Sequence, residues 1–427
     1  MIDRSLSPLT FDDVIPLPHR VAIMFQLGVF LFYSLVWVIY NGFLVNCLAL
    51  LNFAYSSHKF SGDGHDVKVV TGEMATVSSA ESSENMLLIM GIRKTFAKTF
   101  TFTSSGLVVY WTCLIVLPGS PILELAATWL PACLLLISLY TSFRLGDTWG
   151  QNRVNATLKR VLVGRINSAT MRTNDILLSD TLTSYSKVIN DFASLLWVML
   201  MPGDITYNNK VEALVLSYPA LLRMKQCWYE FKSTRQRQHL LNMCKYLALL
   251  GPVLINLLIK INMGLVSDAD GSQTLNKLNR WWYVLLAFSS MYLFIWDIKM
   301  DWGFEAFDIL FRLNVGEALL LRSPSKLVCK GYPGYYLVIL FDFVIRFIWV
   351  FKVFVIKETE IKLRLQNHVG NFLFGYDYLS LGYAILEFLE IFRRWLWCFI
   401  KLESDLVKLQ LRDDFARATP LATLKLN

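Results

Sequence analysis

Tyr378–Leu402 reads YLSLGYAILEFLEIFRRWLWCFIKL, an aromatic and aliphatic run with Glu390, Arg393 and Arg394 near its middle. The run is long enough to cross a bilayer as one helix. Insertion scales put an arginine at a helix centre at roughly 2.5–3.5 kcal/mol, so an adjacent pair costs about twice that unless compensated. Such a penalty points to a polar, anion-attracting cavity inside a helical bundle.

The rest of the chain agrees with a membrane setting. Of 427 residues, 55% are hydrophobic and 17% charged, and the mean hydropathy is +0.45. Soluble domains are about a quarter charged. Apolar segments fall at 21–54, 101–118, 121–143, 177–202, 208–227, 240–262, 281–298, 334–357 and 377–402. The expected fold is therefore all-α, a polytopic bundle of about nine to ten transmembrane helices. The count turns on whether 21–54 is one tilted helix or a helix with a re-entrant piece.

The domain reading follows these runs. An N-terminal segment (1–20) precedes N-terminal transmembrane helices (21–175), interrupted by a polar loop over 55–95 rich in Ser, Gly, Asp and Glu. A second helical unit covers 176–402, and 403–427 forms a C-terminal tail. The net charge of +8 sits mainly in loops, which speaks for membrane topology and against nucleic acid. Arg144, Arg153, Lys159, Arg160, Arg165 and Arg172 gather in 144–175, and Arg223, Lys225, Lys232, Arg235 and Arg237 in 223–239. With the basic 299–333 loop and tail, these segments are expected in the cytosol. Asn155-Ala156-Thr157 is a sequon inside the most basic of them. The seven cysteines are scattered without metal spacing and read as small buried thiols.

Five later runs carry polar stripes at helical spacing. They are Asp180, Thr183, Ser184, Lys187 and Asp191; Asn242, Lys245, Asn256 and Lys260; Ser290, Asp297 and Asp301; Asp342, Arg346, Trp349 and Lys352; and Glu387, Glu390, Arg394 and Trp397. Each has a plain structural reading. Asp342 with Arg346 and Glu390 with Arg394 have ion-pair spacing, Lys187, Lys260 and Lys352 have room to snorkel, and Asp297 and Asp301 could cap an interfacial helix end. Five stripes in one bundle argue for more than structure. Arginine forks suit tetrahedral oxyanions, and carboxylates beside them keep the field moderate enough for an anion to leave. No nucleotide loop, metal-ligand set or nucleophile–base pair is legible, so no cofactor and no enzyme activity are expected. His239 and His368 stand apart from the stripes.

Several of these stretches resemble signatures of the EXS family. Trp296-Asp297-Ile298-Lys299-Met300-Asp301-Trp302-Gly303 resembles its WDxxMDWG motif, and Glu390-Ile391-Phe392-Arg393-Arg394 followed by Trp397 its ExFRRxxW motif. Arg346-Phe347-Ile348-Trp349, Asn242-Met243-Cys244-Lys245-Tyr246 and the 178–184 stretch are similar to three others. The short N-terminus leaves no room for an SPX domain, so the chain looks like the fungal Erd1-type Golgi branch. The resemblance implies an EXS-type transport domain over 176–402 and an inorganic phosphate pathway between the last six helices. It implies phosphate contacts at Asp180, Thr183, Lys245, Asp297, Arg346, Arg393 and Arg394, and gating at Trp349 and Glu390. Two positions depart from the exporters: Glu212 stands where they have arginine, and Thr183 where they have asparagine.

The expected function is return of phosphate, released by glycosylation, from the Golgi lumen to the cytosol, supporting glycosylation and retention of ER and Golgi residents. The expected location is a multi-pass Golgi membrane position with a cytosolic C-terminus. Expected partners are phosphate and membrane lipids, with Golgi-sorting adaptors at the tail and a homodimer as further candidates. The rival reading is a Golgi sorting scaffold for glycosyltransferase recycling that transports nothing.

Overall fold

Many leucines and isoleucines face outward in this molecule while several arginines and aspartates are buried. The computed structural model describes residues 11–43, 45–51, 79–144, 149–167, 171–201, 207–263, 269–304, 332–351 and 381–424. Ile115 is 79% exposed and Leu200 72%, whereas Asp180, Arg223 and Arg393 are 2–3% exposed. Water would reverse that arrangement; lipid explains it, because hydrocarbon solvates apolar side chains and drives charges to the bundle interior.

The described elements are helical, with no strand among them. In chain order they are α1 (Phe11–Val14), α2 (Leu17–Trp37), α3 (Cys47–Leu51), α4 (Ser79–Val116), α5 (Pro121–Arg144), α6 (Trp149–Leu162) and α7 (Arg172–Ser184). They continue as α8 (Ser186–Leu200), α9 (Asn209–Thr234), α10 (Arg237–Met263), α11 (Ala269–Trp296), α12 (Tyr332–Phe347) and α13 (Leu381–Leu424). Among the described residues five segments are long and apolar enough to cross a membrane: Leu17–Gly42, Glu84–Val116, Pro121–Ser138, Arg237–Asn262 and Gln273–Asp301. The protein is an all-α, polytopic membrane bundle.

The structure corrects several boundaries. The 21–54 run is a helix plus a separate piece: α2 widens into a π-helical turn at Val38–Gly42, and α3 follows. Asn85 of α4 fastens that piece, accepting from the Leu48 amide (3.1 Å) and donating to Asn46 Oδ1 (2.9 Å). The polar loop expected over 55–95 ends early, because α4 is already helical at Ser79; 52–78 lie outside the described residues, as do Lys352 and His368. The tail expected from 403 continues α13 without a break to Leu424. The thiols are not uniformly buried: Cys133 and Cys244 are exposed.

The expected single span over 177–202 is broken at Tyr185, whose φ of −87° and ψ of 1° separate α7 from α8. The Tyr185 hydroxyl donates to the Met24 carbonyl of α2 at 3.0 Å. A Cβ at Gly28 would lie 2.2 Å from that hydroxyl, so only glycine lets α2 approach. Val21, Leu31, Tyr185, Val188, Ala384 and Ile391 form the apolar core that joins α2, α8 and α13 here. A second core gathers the end of α2, α3, α4, Trp302, Tyr335 and Trp397. Together the two cores clamp α13 in the bundle, with its polar face turned toward α7, α9, α11 and α12.

A buried arginine and carboxylate network

Helix α13 carries charge along much of its length, at Glu387, Glu390, Arg393, Arg394, Lys401 and Asp405. Glu387 to Asp405 spans about 27 Å at 1.5 Å per residue, close to the roughly 30 Å of a hydrocarbon core. The middle layer lies at Glu390–Arg394. Arg393 donates to Glu390 (2.6 and 3.0 Å) and to Asp342 Oδ1 (2.7 Å), and its Nη1 is 3.8 Å from Asp297. Arg346 of α12 pairs with Asp342 one turn earlier (3.0 Å) and with Asp297. Two guanidinium groups thus share the Asp297 and Asp342 carboxylates.

Asp297 reaches this point because α11 ends in a π-helical turn over Asp297–Asp301. The Trp302 amide closes on the Asp297 carbonyl at 2.8 Å, and Gly303 with φ +69° turns the chain away. Positive φ is readily available only to glycine. Wide turns of this kind recur at functional sites. Trp349, just past α12, donates to Ser290 Oγ (3.1 Å), which itself donates to the Arg346 carbonyl (3.1 Å). The residue expected to gate is therefore tied to the backbone of an arginine in the network.

On the α7 side, Asp180 accepts from Arg223 Nε (2.7 Å) and from the Tyr246 hydroxyl. Lys245 is 3% exposed, lies 3.6 Å from Asp301 and faces the rings of Tyr246 (4.7 Å) and Trp296 (5.5 Å). Arg394 differs from its neighbour. Among the described residues no carboxylate comes within ion-pair distance of it. Its Nε donates to Ser184 Oγ (3.1 Å) and its Nη2 to Thr183 Oγ1 (3.4 Å), and the guanidinium lies over Trp397 at 4.7 Å. Ser184 in turn donates to Glu390 (2.9 Å).

Next to this layer is a cavity of about 60 Å³ lined in part by Arg172, Arg223, His239, Asn242, Trp296 and Lys401. Trp296 Nε1 and Asn242 Oδ1 are buried with no hydrogen-bond partner among the described residues. Asp301 lines it too, its Oδ2 likewise without a hydrogen bond among the described residues, so a donor, two acceptors and four basic side chains border one small polar void. Beyond the span, Glu230 accepts from Arg172 (2.5 and 3.2 Å) and lies 3.3 Å from His239. Burial would raise the Glu230 carboxyl, but the Arg172 guanidinium, aided by His239, holds it well below the usual carboxylate range.

All nine expected site residues lie in or against this network. Sequence reading missed Arg172, Arg223, Tyr246, Glu230 and His239. Arg172 and Arg223 counted as loop cations, yet they are 7% and 2% exposed. His239, set aside as isolated, contacts Glu230. Lys260, expected to snorkel, holds Glu212 at 2.5 Å. Lys187, Asp191 and Glu387 lie elsewhere: Asp191 and Glu387 pair with Arg20, and Lys187 lies over the Tyr383 ring.

Fold and site together define a helical membrane protein with a buried, charge-dense polar layer. The chain belongs to the EXS family, whose model matches residues 15–407. It is 31% identical over 250 residues to solute carrier family 53 member 1 of Cricetulus griseus, covering 54% of this chain and 32% of that protein. It is 28% identical over 276 residues to Protein ERD1 of Kluyveromyces lactis, covering 58% of this chain and 63% of the relative. It is 32% identical over 201 residues to the xenotropic and polytropic retrovirus receptor 1 homolog of Xenopus laevis, covering 47% and 25%. The chain thus spans about a third of the solute carrier's length.

Proposed function

We propose that this protein conducts inorganic phosphate across a Golgi membrane, returning to the cytosol the phosphate that glycosylation releases in the lumen. The observation that carries the reading is Arg394. It is 6% exposed and contacts hydroxyls and an indole ring, so among the network's cations it has most to gain from an oxyanion. Arg393 and Arg346 lie next to it but are already matched by Glu390, Asp342 and Asp297. An entering phosphate would bind Arg394 first, then compete with those carboxylates for Arg393 and Arg346. Charge-assisted bonds from guanidinium forks suit its tetrahedral oxygens. The cavity beside Arg223 and Lys401 would be the cytosolic approach, and Trp349 the residue whose movement opens the far side.

Membership of the EXS family and similarity to a solute carrier support a transport role, and similarity to Protein ERD1 supports the Golgi assignment. The test is release of radiolabelled phosphate from proteoliposomes holding the full chain. Wild type should release phosphate above protein-free vesicles, and Arg394→Ala should release little at equal abundance. Equal rates for the two would refute this pathway.

A further inference from the structure

A separate charged layer lies one turn from the phosphate network, at the start of α13. Arg20 of α2 reaches Asp191 of α8 (3.4 Å) and Glu387 of α13 (3.7 Å), with side chains 3%, 9% and 1% exposed. The two carboxyl groups also lie within hydrogen-bonding reach of each other. Glu387 Oε1 is buried and meets no hydrogen-bond donor among the described residues. Among the described residues, the exposed Lys187 of α8 also acts on both carboxyl groups. Tyr383 of α13 lies under Arg20 (5.6 Å) and Lys187 (5.5 Å). Glu212 of α9, held by Lys260, and Tyr207 act from further away.

Two buried carboxylates in contact do not both ionise readily, and Arg20 supplies one positive charge for the pair. A proton between them provides the donor that Glu387 Oε1 lacks. Without it the triad of Arg20, Asp191 and Glu387 carries one net negative charge; with it the triad is neutral. Glu387 and Glu390 are about 4.5 Å apart along the helix axis, so this charge is felt at Arg393 and Arg394. A negative layer repels an approaching oxyanion and a neutral one does not.

We propose that Asp191 and Glu387 form a proton-binding site holding one exchangeable proton beside Arg20, and that phosphate passes when this proton is bound, so that the two move in the same direction. The linkage rests on the transport reading above; the proton site does not.

Two measurements separate them. Infrared spectra of the purified full chain at neutral pH should show a protonated-carboxyl band that Glu387→Gln and Asp191→Asn each remove. A missing band, or one that survives both changes, overturns the proton site. Proteoliposomes loaded with radiolabelled phosphate and a pH-sensitive dye test the linkage. At equal pH on both sides, release by wild type and by Glu387→Gln tests transport alone, and its absence in wild type refutes the transport reading and the linkage together. Under an imposed pH gradient, wild-type release should change several-fold with proton movement in the dye record. Glu387→Gln release should follow only the gradient's effect on phosphate ionisation, which is common to both proteins. Wild-type release without accompanying proton movement overturns the linkage, as does an undiminished gradient response in Glu387→Gln.

Discussion

Arg393 and Arg394 are neighbours in sequence, yet removing them should have opposite profiles. Arg393 serves Glu390 and Asp342; Arg393→Ala leaves Asp342 to Arg346 alone and the one-third-exposed Glu390 without a counter-ion, a loss of about 3 kcal/mol, the low end for a broken buried pair. Arg394 has hydroxyl neighbours, so Arg394→Ala should cost about 1.5 kcal/mol in stability, the low end for bonds to a charged group, while removing most phosphate flux. Thermal melts in detergent, read beside the flux assay, check both. A large stability loss in Arg394→Ala would show that this residue is structural. Glu230 supplies a pH test outside the span. Its folded pKa is depressed, so the stability it contributes is complete above its ordinary value of 4.5 and lost as pH falls below it. Melts between neutral pH and pH about 3 should show a steep decline that Glu230→Gln flattens.

Among the elements, the break between α7 and α8 decides which charges meet. An unbroken helix would carry Asp180 and Asp191 along one face. With the turn at Tyr185 between them, Asp180 pairs with Arg223 and Asp191 with Arg20. That turn depends on the close approach of α2. Gly28→Ala should displace the Tyr185 hydroxyl from Met24 at a cost of about 1–3 kcal/mol. Lower thermal stability with restored stability in Gly28→Ala/Tyr185→Phe is the expected pattern; unchanged stability in the single variant would show that α2 shifts freely.

For the whole molecule, the sequon is informative. Asn155 and Thr157 are 8% and 3% exposed within α6, and Thr157 accepts from Asn174 at 2.8 Å. Asn155 should therefore carry no glycan, and endoglycosidase treatment should leave the mobility of the expressed protein unchanged. A shift that Asn155→Gln abolishes would reverse the expected topology.

The apolar runs alone determined that this is a helical membrane protein, because no water-soluble packing buries so many of them. The central site was legible for the same reason: Arg393, Arg394 and Asp342 interrupt hydrocarbon, where charge is expensive wherever the chain goes. Arg20, Arg172 and Arg223 were not legible. They stand near the ends of apolar runs, where basic residues ordinarily reach the interface. Only tertiary structure buried them, through partners as distant as the 43 residues between Arg223 and Asp180 or the 171 between Arg20 and Asp191. Hydropathy is a local sum, whereas the partner of a buried charge is set by how separate helices pack.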